Sequence, residues 1–391
     1  MRALPLCLLM SALACASGAP ELAFPGAEWQ RRQPSEAGFV PGKLRLALDG
    51  LVAQAGDNPY QIAVFHCGRK LAARHANLDP QARQPSASIA KSVYASLLPI
   101  AVADGKLESA DQRLVSVYPR LREAVGRFGP FPPKKRYWLP KDEAVTFRQV
   151  VTQTCGLLED GRAPGEVWRY RTDNLVAMVH ALAALYDHYR IDDPGRAPGV
   201  GDLIETKLRD PIGASWSWNY RPWRYHPEAR HDIFGRFVEL RVDADDLARF
   251  GLLYLAEGRW GDLRIIPREW ALRAGRVAPE VRRAAPEADW RYGYAFWSNE
   301  FGRLWPRLPR DSFMAAGFGG RKVWICRSLG LVVVLLPDLP AADFMDSVED
   351  SRSLDAVVGA LADGAASHER AGVGPLAPPA GVAPGGGGHY H

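Results

Sequence analysis

The chain has 391 residues, 47% of them hydrophobic and 24% charged, a balance that fits a folded globular protein and excludes a disordered or collagen-like one. Its formal charge of +5 comes from 49 basic and 44 acidic residues interspersed along the chain. No basic block forms, so there is no footprint for nucleic acid and none is expected as a partner.

The N-terminus, MRALPLCLLMSALACASGAPELAF, has a basic Arg2 and an apolar run from Leu4 to Ala14. This pattern predicts a signal peptide over residues 1–19 and a periplasmic or secreted protein. The run is too short to span a membrane, and no other segment is long and apolar enough. Cys15 follows small residues and offers a lipid anchor as an alternative fate. Cys67, Cys155 and Cys326 remain beyond the leader, an odd number that outlines no disulfide framework. Neither the cysteines nor the histidines have metal-ligand spacing, so no metal or cofactor is expected.

Pro59 to Asn77 reads as a β-hairpin turning at Cys67-Gly68. Next comes a helix whose apolar positions Ile89, Val93 and Leu97 recur every four residues, closing near Gly105. Phe128 to Lys141 is a Pro-rich basic loop. Helices are predicted over Val145 to Leu157, entered at Thr146, over Arg171 to Tyr189, and over Val242 to Gly258, capped at Asp243 or Asp245. Strand signals return in Met314 to Asp338, as three short strands with glycine-rich turns. Strands at both ends with helices between them imply an α+β fold: one antiparallel sheet built from both chain ends, flanked by helices, with a mainly helical region inserted at about residues 100–300. The folded domain should cover residues 20–365, and residues 366–391 form a Pro/Gly-rich tail that reads as disordered.

Four places carry candidate chemistry. Ser88-Ile89-Ala90-Lys91 is the one S-x-x-K in the chain. Residues i and i+3 share a helix face, so Lys91 can reach the Ser88 hydroxyl. In the first helical turn the serine would sit among unpaired N–H groups, as a nucleophile whose own N–H helps to hold an oxyanion. The plain alternative is that Ser86 or Ser88 only caps the helix. Tyr170 lies in PGEVWRYRTDN, just before a helix. Beside a lysine ammonium its phenolate is favoured, and it could carry the serine proton. Its plain alternative is packing under a loop. Gly317-Phe318-Gly319-Gly320 offers strand glycines where a ligand could approach the backbone, or else a β-turn. Cys155 reads as a small buried thiol, and the absence of G-x-S-x-G disfavours an α/β-hydrolase. Of the tryptophans, Trp138, Trp216, Trp218, Trp223, Trp297 and Trp305, some could line a cleft, but most read as core.

Together SASIAKS, VTFRQVVTQTCGL, PGEVWRYRTDN, DADDLARFGLLYLAEGRWGDLRIIPREW, YGYAFWSN and AAGFGGRKVWI resemble, in order, the serine β-lactamase and penicillin-binding-protein superfamily, in its class C-like branch. The resemblance spans roughly Pro25 to Leu361. It implies a β-lactamase/transpeptidase-like fold and an exported serine hydrolase that cleaves an ester or amide. By it Ser88 is the nucleophile, Lys91, its pKa lowered by partial desolvation, and Tyr170 are the proton-handling pair, and the N–H of Ser88 with that of Phe318 or Gly319, beside Gly317, forms the oxyanion hole. Substrates would be small esters, amides or peptides. Two departures stand out. Tyr170-Arg171-Thr172 replaces the family's Tyr-x-Asn or Tyr-x-Ser, leaving Thr172 as a substrate-binding candidate. The glycine strand replaces Lys-Thr-Gly, with Arg321 as the nearest substitute cation. Both favour an esterase or amidase over an efficient β-lactamase. A D,D-peptidase or β-lactamase, and a non-catalytic binding protein of the same fold, are the alternatives.

Overall fold

A computed structural model describes residues 21–123, 125–128, 134–158, 161–188, 199–222, 236–338 and 344–362. The expected signal peptide, Cys15, Trp223 and the C-terminal tail lie outside these residues.

The strands are β1 (Tyr60–His66), β2 (Arg69–Ala76), β3 (Gln84–Pro85), β4 (Ser217–Pro222), β5 (Arg236–Val242), β6 (Trp297–Ser298), β7 (Ser312–Gly317), β8 (Arg321–Cys326) and β9 (Leu331–Pro337). The helices that matter here are α1 (Pro41–Ala53), α2 (Ile89–Ala103), α3 (Phe147–Val151), α4 (Asp173–Leu185), α5 (Ala244–Leu255), α6 (Phe344–Glu349) and α7 (Arg352–Val358).

The main sheet runs β6-β7-β8-β9-β1-β2 and is antiparallel throughout. The N-terminal hairpin β1–β2 joins the C-terminal strands through β9, with Tyr60 opposite Pro337 and His66 opposite Leu331. The sheet is therefore built from both chain ends. Every residue of β7, β8 and β9 is buried, which requires cover on both faces and fits the apolar runs Phe313–Ala316, Val323–Cys326 and Leu331–Leu336. Helix α5 packs on β8 and β9, while α1, itself against α7, lies on β1 and β2.

α2 is buried at every position from Ile89 to Ala101. Its interior serines survive because each hydroxyl finds an acceptor. Ser92 Oγ donates to Ala295 O at 2.6 Å, and Ser96 Oγ donates to Ser92 O at 2.8 Å while lying 2.7 Å from the Tyr254 hydroxyl.

Several elements differ from the sequence reading. β4 and β5 were not expected; they pair with each other, and β5 also pairs with β3, just upstream of Ser88. The basic loop contains a two-stranded ribbon, Val125–Phe128 against Lys134–Tyr137. The helix expected to reach Leu157 stops at Val151, because Gln153 takes a left-handed φ of +62° that no α-helix tolerates. Thr146 does cap that helix, exchanging bonds with Gln149 at 3.0 and 3.3 Å. Asp243, not Asp245, caps α5, its Oδ1 accepting from Asp246 N at 2.8 Å.

Candidate active site

The segment carrying Ser88 is fixed from upstream. Gln84 pairs with Val242, and Ser86 N donates to Leu240 O at 2.8 Å. The chain then turns sharply at Ala87, whose φ of +49° is rare for a residue with a Cβ. This turn delivers Ser88 to the N-cap position of α2. The serine makes no capping bond there. Its hydroxyl instead accepts from Lys91 Nζ at 2.7 Å, and Tyr170 hydrogen-bonds to the same hydroxyl. Ser86 does not cap the helix either; its hydroxyl reaches only Ala87 O, at 3.4 Å. The helix begins with polar residues because they meet one another.

Lys91 is 4% exposed, and its Nζ lies 4.6 Å from the centroid of the Tyr170 ring. Tyr170 is packed among aromatics from three further segments: Tyr292 and Trp297 at 5.8 and 5.4 Å, and Phe344 of α6, stacked at 5.3 Å with 23° between the planes. This burial raises the Tyr170 pKa well above the ordinary 10, against the smaller opposing effect of the bond with Ser88. The expected phenolate is thus overturned. Desolvation is the largest influence on its hydroxyl, so Tyr170 rests as a neutral phenol.

The loop that presents Tyr170 is tied to the loop after α3. Gly165 N donates to Thr154 O at 2.7 Å and Arg169 N to Gln153 O at 2.9 Å, and Arg171 N donates to Gln153 Oε1 at 2.7 Å. Thr172 is half-buried at the N-cap position of α4 and makes no side-chain capping bond.

The glycine segment divides in two. Gly317 ends β7, and a Cβ there would lie 2.6 Å from Ser86 O and 3.3 Å from Ser88 N. This strand end presses directly on the serine turn. Gly319 and Gly320, with φ of +80° and +83°, serve the β7–β8 turn. Phe318, between Gly317 and Gly319, is 49% exposed. β6 pairs only with Phe313 and Met314, so no described strand borders the outer edge of Ala315 to Gly317. Arg321, the candidate cation, is engaged elsewhere. Nη1 donates to Phe318 O at 2.6 Å, and Nη2 meets Asp338 Oδ1 at 2.7 Å. It braces the turn.

Cys155 is fully buried. Of the tryptophans, Trp216, Trp297 and Trp305 are buried in the core, with Trp297 also in the wall around Tyr170. The sequence reading missed Gln153, Tyr292 and Phe344. The polar run Thr152-Gln153-Thr154 after an apolar helix was the available hint for the first. Nothing in the local pattern signals the other two, which arrive from distant segments.

Among solved structures, the fold is similar to a candidate β-lactamase from Bacteroides dorei DSM 17855 (15% identity, 83% of this chain and 99% of that one, TM-score 0.59). It is similar also to a candidate 6-aminohexanoate-dimer hydrolase from Bacillus anthracis (14% identity, 87% and 88%, TM-score 0.58). A third is EstCE1, described as a hydrolase with promiscuous acyltransferase activity (14% identity, 81% and 98%, TM-score 0.55). At these identities the likeness establishes a β-lactamase/transpeptidase-like fold. No curated protein matches the sequence. The β-lactamase family model matches residues 48–356, most of the chain, and the chain therefore belongs to the β-lactamase family.

Proposed function

We propose that this protein is a serine hydrolase that cleaves a neutral ester or amide through an acyl-enzyme on Ser88. The observation that carries the reading is the Ser88 hydroxyl, 2.7 Å from Lys91 Nζ and hydrogen-bonded to Tyr170. Lys91, as the free amine, takes the Ser88 proton while Oγ bonds to the substrate carbonyl carbon. The carbonyl electron pair moves to oxygen, which the N–H groups of Ser88 and Phe318 receive. Tyr170, a phenol at rest, protonates the leaving group as its bond to carbon breaks, and Lys91 then gives the proton it took from Ser88 to the Tyr170 oxygen. Water then enters by the same steps and releases the acid. Gly319 stands one residue further into the turn, so Phe318 is the better oxyanion donor.

The strand end argues for a neutral substrate. Ala315, Ala316 and Gly317 carry no charge, and both Arg321 nitrogens named above are engaged. A β-lactam carboxylate gains most from a cation beside the scissile bond. Losing one charge-assisted hydrogen bond costs about 1.5–3 kcal/mol, or about ten- to a hundredfold in rate. Phe318, exposed beside the proposed oxyanion donor, offers apolar surface to an acyl or alcohol group. That EstCE1 is described as a hydrolase with acyltransferase activity is consistent with an acyl-enzyme route on this fold. The signal-peptide pattern of the N-terminus supports an activity outside the cytoplasm; finding the uncleaved N-terminus in the soluble cytoplasm would contradict that part.

Intact-mass spectrometry with p-nitrophenyl butyrate and with nitrocefin, alongside steady-state kinetics, tests the reading. The expected result is an acyl adduct with the ester that Ser88→Ala abolishes, and nitrocefin kcat/KM at least about tenfold poorer. Nitrocefin turnover equal to the ester's refutes the neutral-substrate argument and favours a β-lactamase or D,D-peptidase. A wild-type protein that forms no adduct with either compound or with a fluorophosphonate is a binding protein.

A further inference from the structure

We infer that Gln153 is a positioning residue for Tyr170, gripping the peptide groups on both sides of it. The inference rests on the proton-carrying role proposed above for that tyrosine.

Gln153 follows the last turn of α3 and is 1% exposed. Its backbone oxygen accepts from Arg169 N at 2.9 Å, and its side-chain Oε1 accepts from Arg171 N at 2.7 Å. Tyr170 is the residue between. The backbone and the side chain of one residue thus bracket the tyrosine.

Gln153 also bears two local costs. Its φ of +62° is left-handed, a region that residues with a Cβ seldom occupy. Its Nε2 is buried with no hydrogen-bond partner among the described residues. Strain of this kind persists where the surrounding structure over-determines it, and it clusters at functional sites. A glycine would relieve the backbone strain, and an apolar side chain would remove the orphaned donor. Neither would supply the acceptor that Arg171 N uses.

The leverage is geometric. The phenol oxygen lies at the far end of the tyrosine ring, so a small rotation of the 169–171 backbone is magnified where the proton moves. Misplacement of a reacting group by about 1 Å costs about a hundredfold in rate. The aromatic contacts of Tyr292, Trp297 and Phe344 set the ring's lateral position, while Gln153 sets where its backbone starts.

The test is a double-mutant cycle on the full chain, with Gln153→Met and Tyr170→Phe. Methionine keeps the length and bulk of the side chain but offers no comparable acceptor. The readouts are kcat and KM for p-nitrophenyl butyrate, the rate of fluorophosphonate labelling, and the melting temperature. Gln153→Met is expected to lower kcat and the labelling rate about tenfold with KM within about twofold. In the Tyr170→Phe background it is expected to add less than about twofold, because its effect runs through the tyrosine. A loss below about threefold in the single mutant, or one that adds in full to Tyr170→Phe, overturns the assignment. Should Gln153→Met fail to fold, Gln153→Glu carries the test, since it keeps an acceptor oxygen at the same reach. It is expected to retain kcat within about threefold, and a loss of tenfold or more refutes the inference. Wild-type turnover in Tyr170→Phe alone would instead overturn the role of the tyrosine, a separate outcome.

Discussion

Gly317→Ala is the sharpest perturbation of the proposed site. It adds one methyl group, and the surroundings of that group are known. The new Cβ would lie 2.6 Å from Ser86 O, 3.2 Å from the Ala87 Cβ and 3.3 Å from Ser88 N. A carbon and a carbonyl oxygen approach to about 3.3 Å, so β7 and the serine turn must separate by about 0.7 Å. None of these neighbours is the end of a flexible side chain. Two are backbone atoms, and the third is the methyl of a residue already held at φ +49°. The separation falls across the gap between the two proposed oxyanion donors, the N–H groups of Ser88 and Phe318. Losing one such donor costs about a hundred- to a thousandfold in kcat, and a partial displacement should cost about thirty- to a hundredfold. Overpacking should also lower stability by about 1–3 kcal/mol. The assay is kcat for p-nitrophenyl butyrate with fluorophosphonate labelling, below the melting transition of the variant. A folded Gly317→Ala enzyme with kcat within threefold of wild type would refute the placement of the oxyanion hole.

Other outcomes follow from the same geometry. Ser86→Ala removes a hydroxyl that neither caps the helix nor reaches Ser88, so kcat/KM should stay within about threefold of wild type; a hundredfold loss would assign Ser86 a role it lacks here. Tyr170 acts as a phenol whose pKa lies above 10, so the protonated, active form persists through alkaline pH, and the pH profile should show no falling limb from this group below pH 10. A falling limb near pH 8 that Tyr170→Phe removes would contradict this. Burial and the neighbouring Asp246 raise the Asp243 pKa to about 6, so its protonated carboxyl favours the fold, in full below the unfolded value near 3.8, and that stability is lost as pH rises through 6. Asp243→Asn keeps a capping oxygen and should raise stability by about 1–2 kcal/mol at pH 8 but not at pH 4. Equal melting shifts at both pH values would refute that sign.

The parts of the molecule legible in the sequence were those written in a short stretch. The hairpin at Cys67-Gly68, α5 with its acidic cap, and the three closing strands each carry their signal within about twenty residues. So does the Ser88–Lys91 pair, because an i, i+3 relation is local geometry. What was hidden depends on distant partners. Arg321 reads as a free cation until Asp338, 17 residues on and across the turn from β9, takes one of its nitrogens. The resting state of Tyr170 depends on Tyr292, Trp297 and Phe344, which neighbour it only in the fold. β4 and β5 escaped notice although Trp218 and Tyr220, and Val238, Leu240 and Val242, alternate with polar residues, because Pro222 reads as ending a strand. The early end of α3 turns on Gln153, and no composition rule foresees a left-handed glutamine.

The three elements that meet at Ser88 are each held chiefly through backbone. The serine turn is anchored by Ser86 N on Leu240 O, and the tyrosine loop by Arg169 N and Arg171 N on Gln153. The closing strand is seated because Gly317 has no side chain to keep it away. Main-chain hydrogen bonds and a missing Cβ make few demands on neighbouring side chains. Within this frame Arg321 is a brace for the turn, since its Nη1 holds Phe318 O and its Nη2 holds Asp338. The same contact that removes the cation steadies the turn beginning at Phe318, whose N–H is the proposed second oxyanion donor. Breaking it by Asp338→Ala would therefore release a guanidinium and loosen that turn together. A gain in carboxylate affinity should come with a loss in kcat, and not as a gain in both.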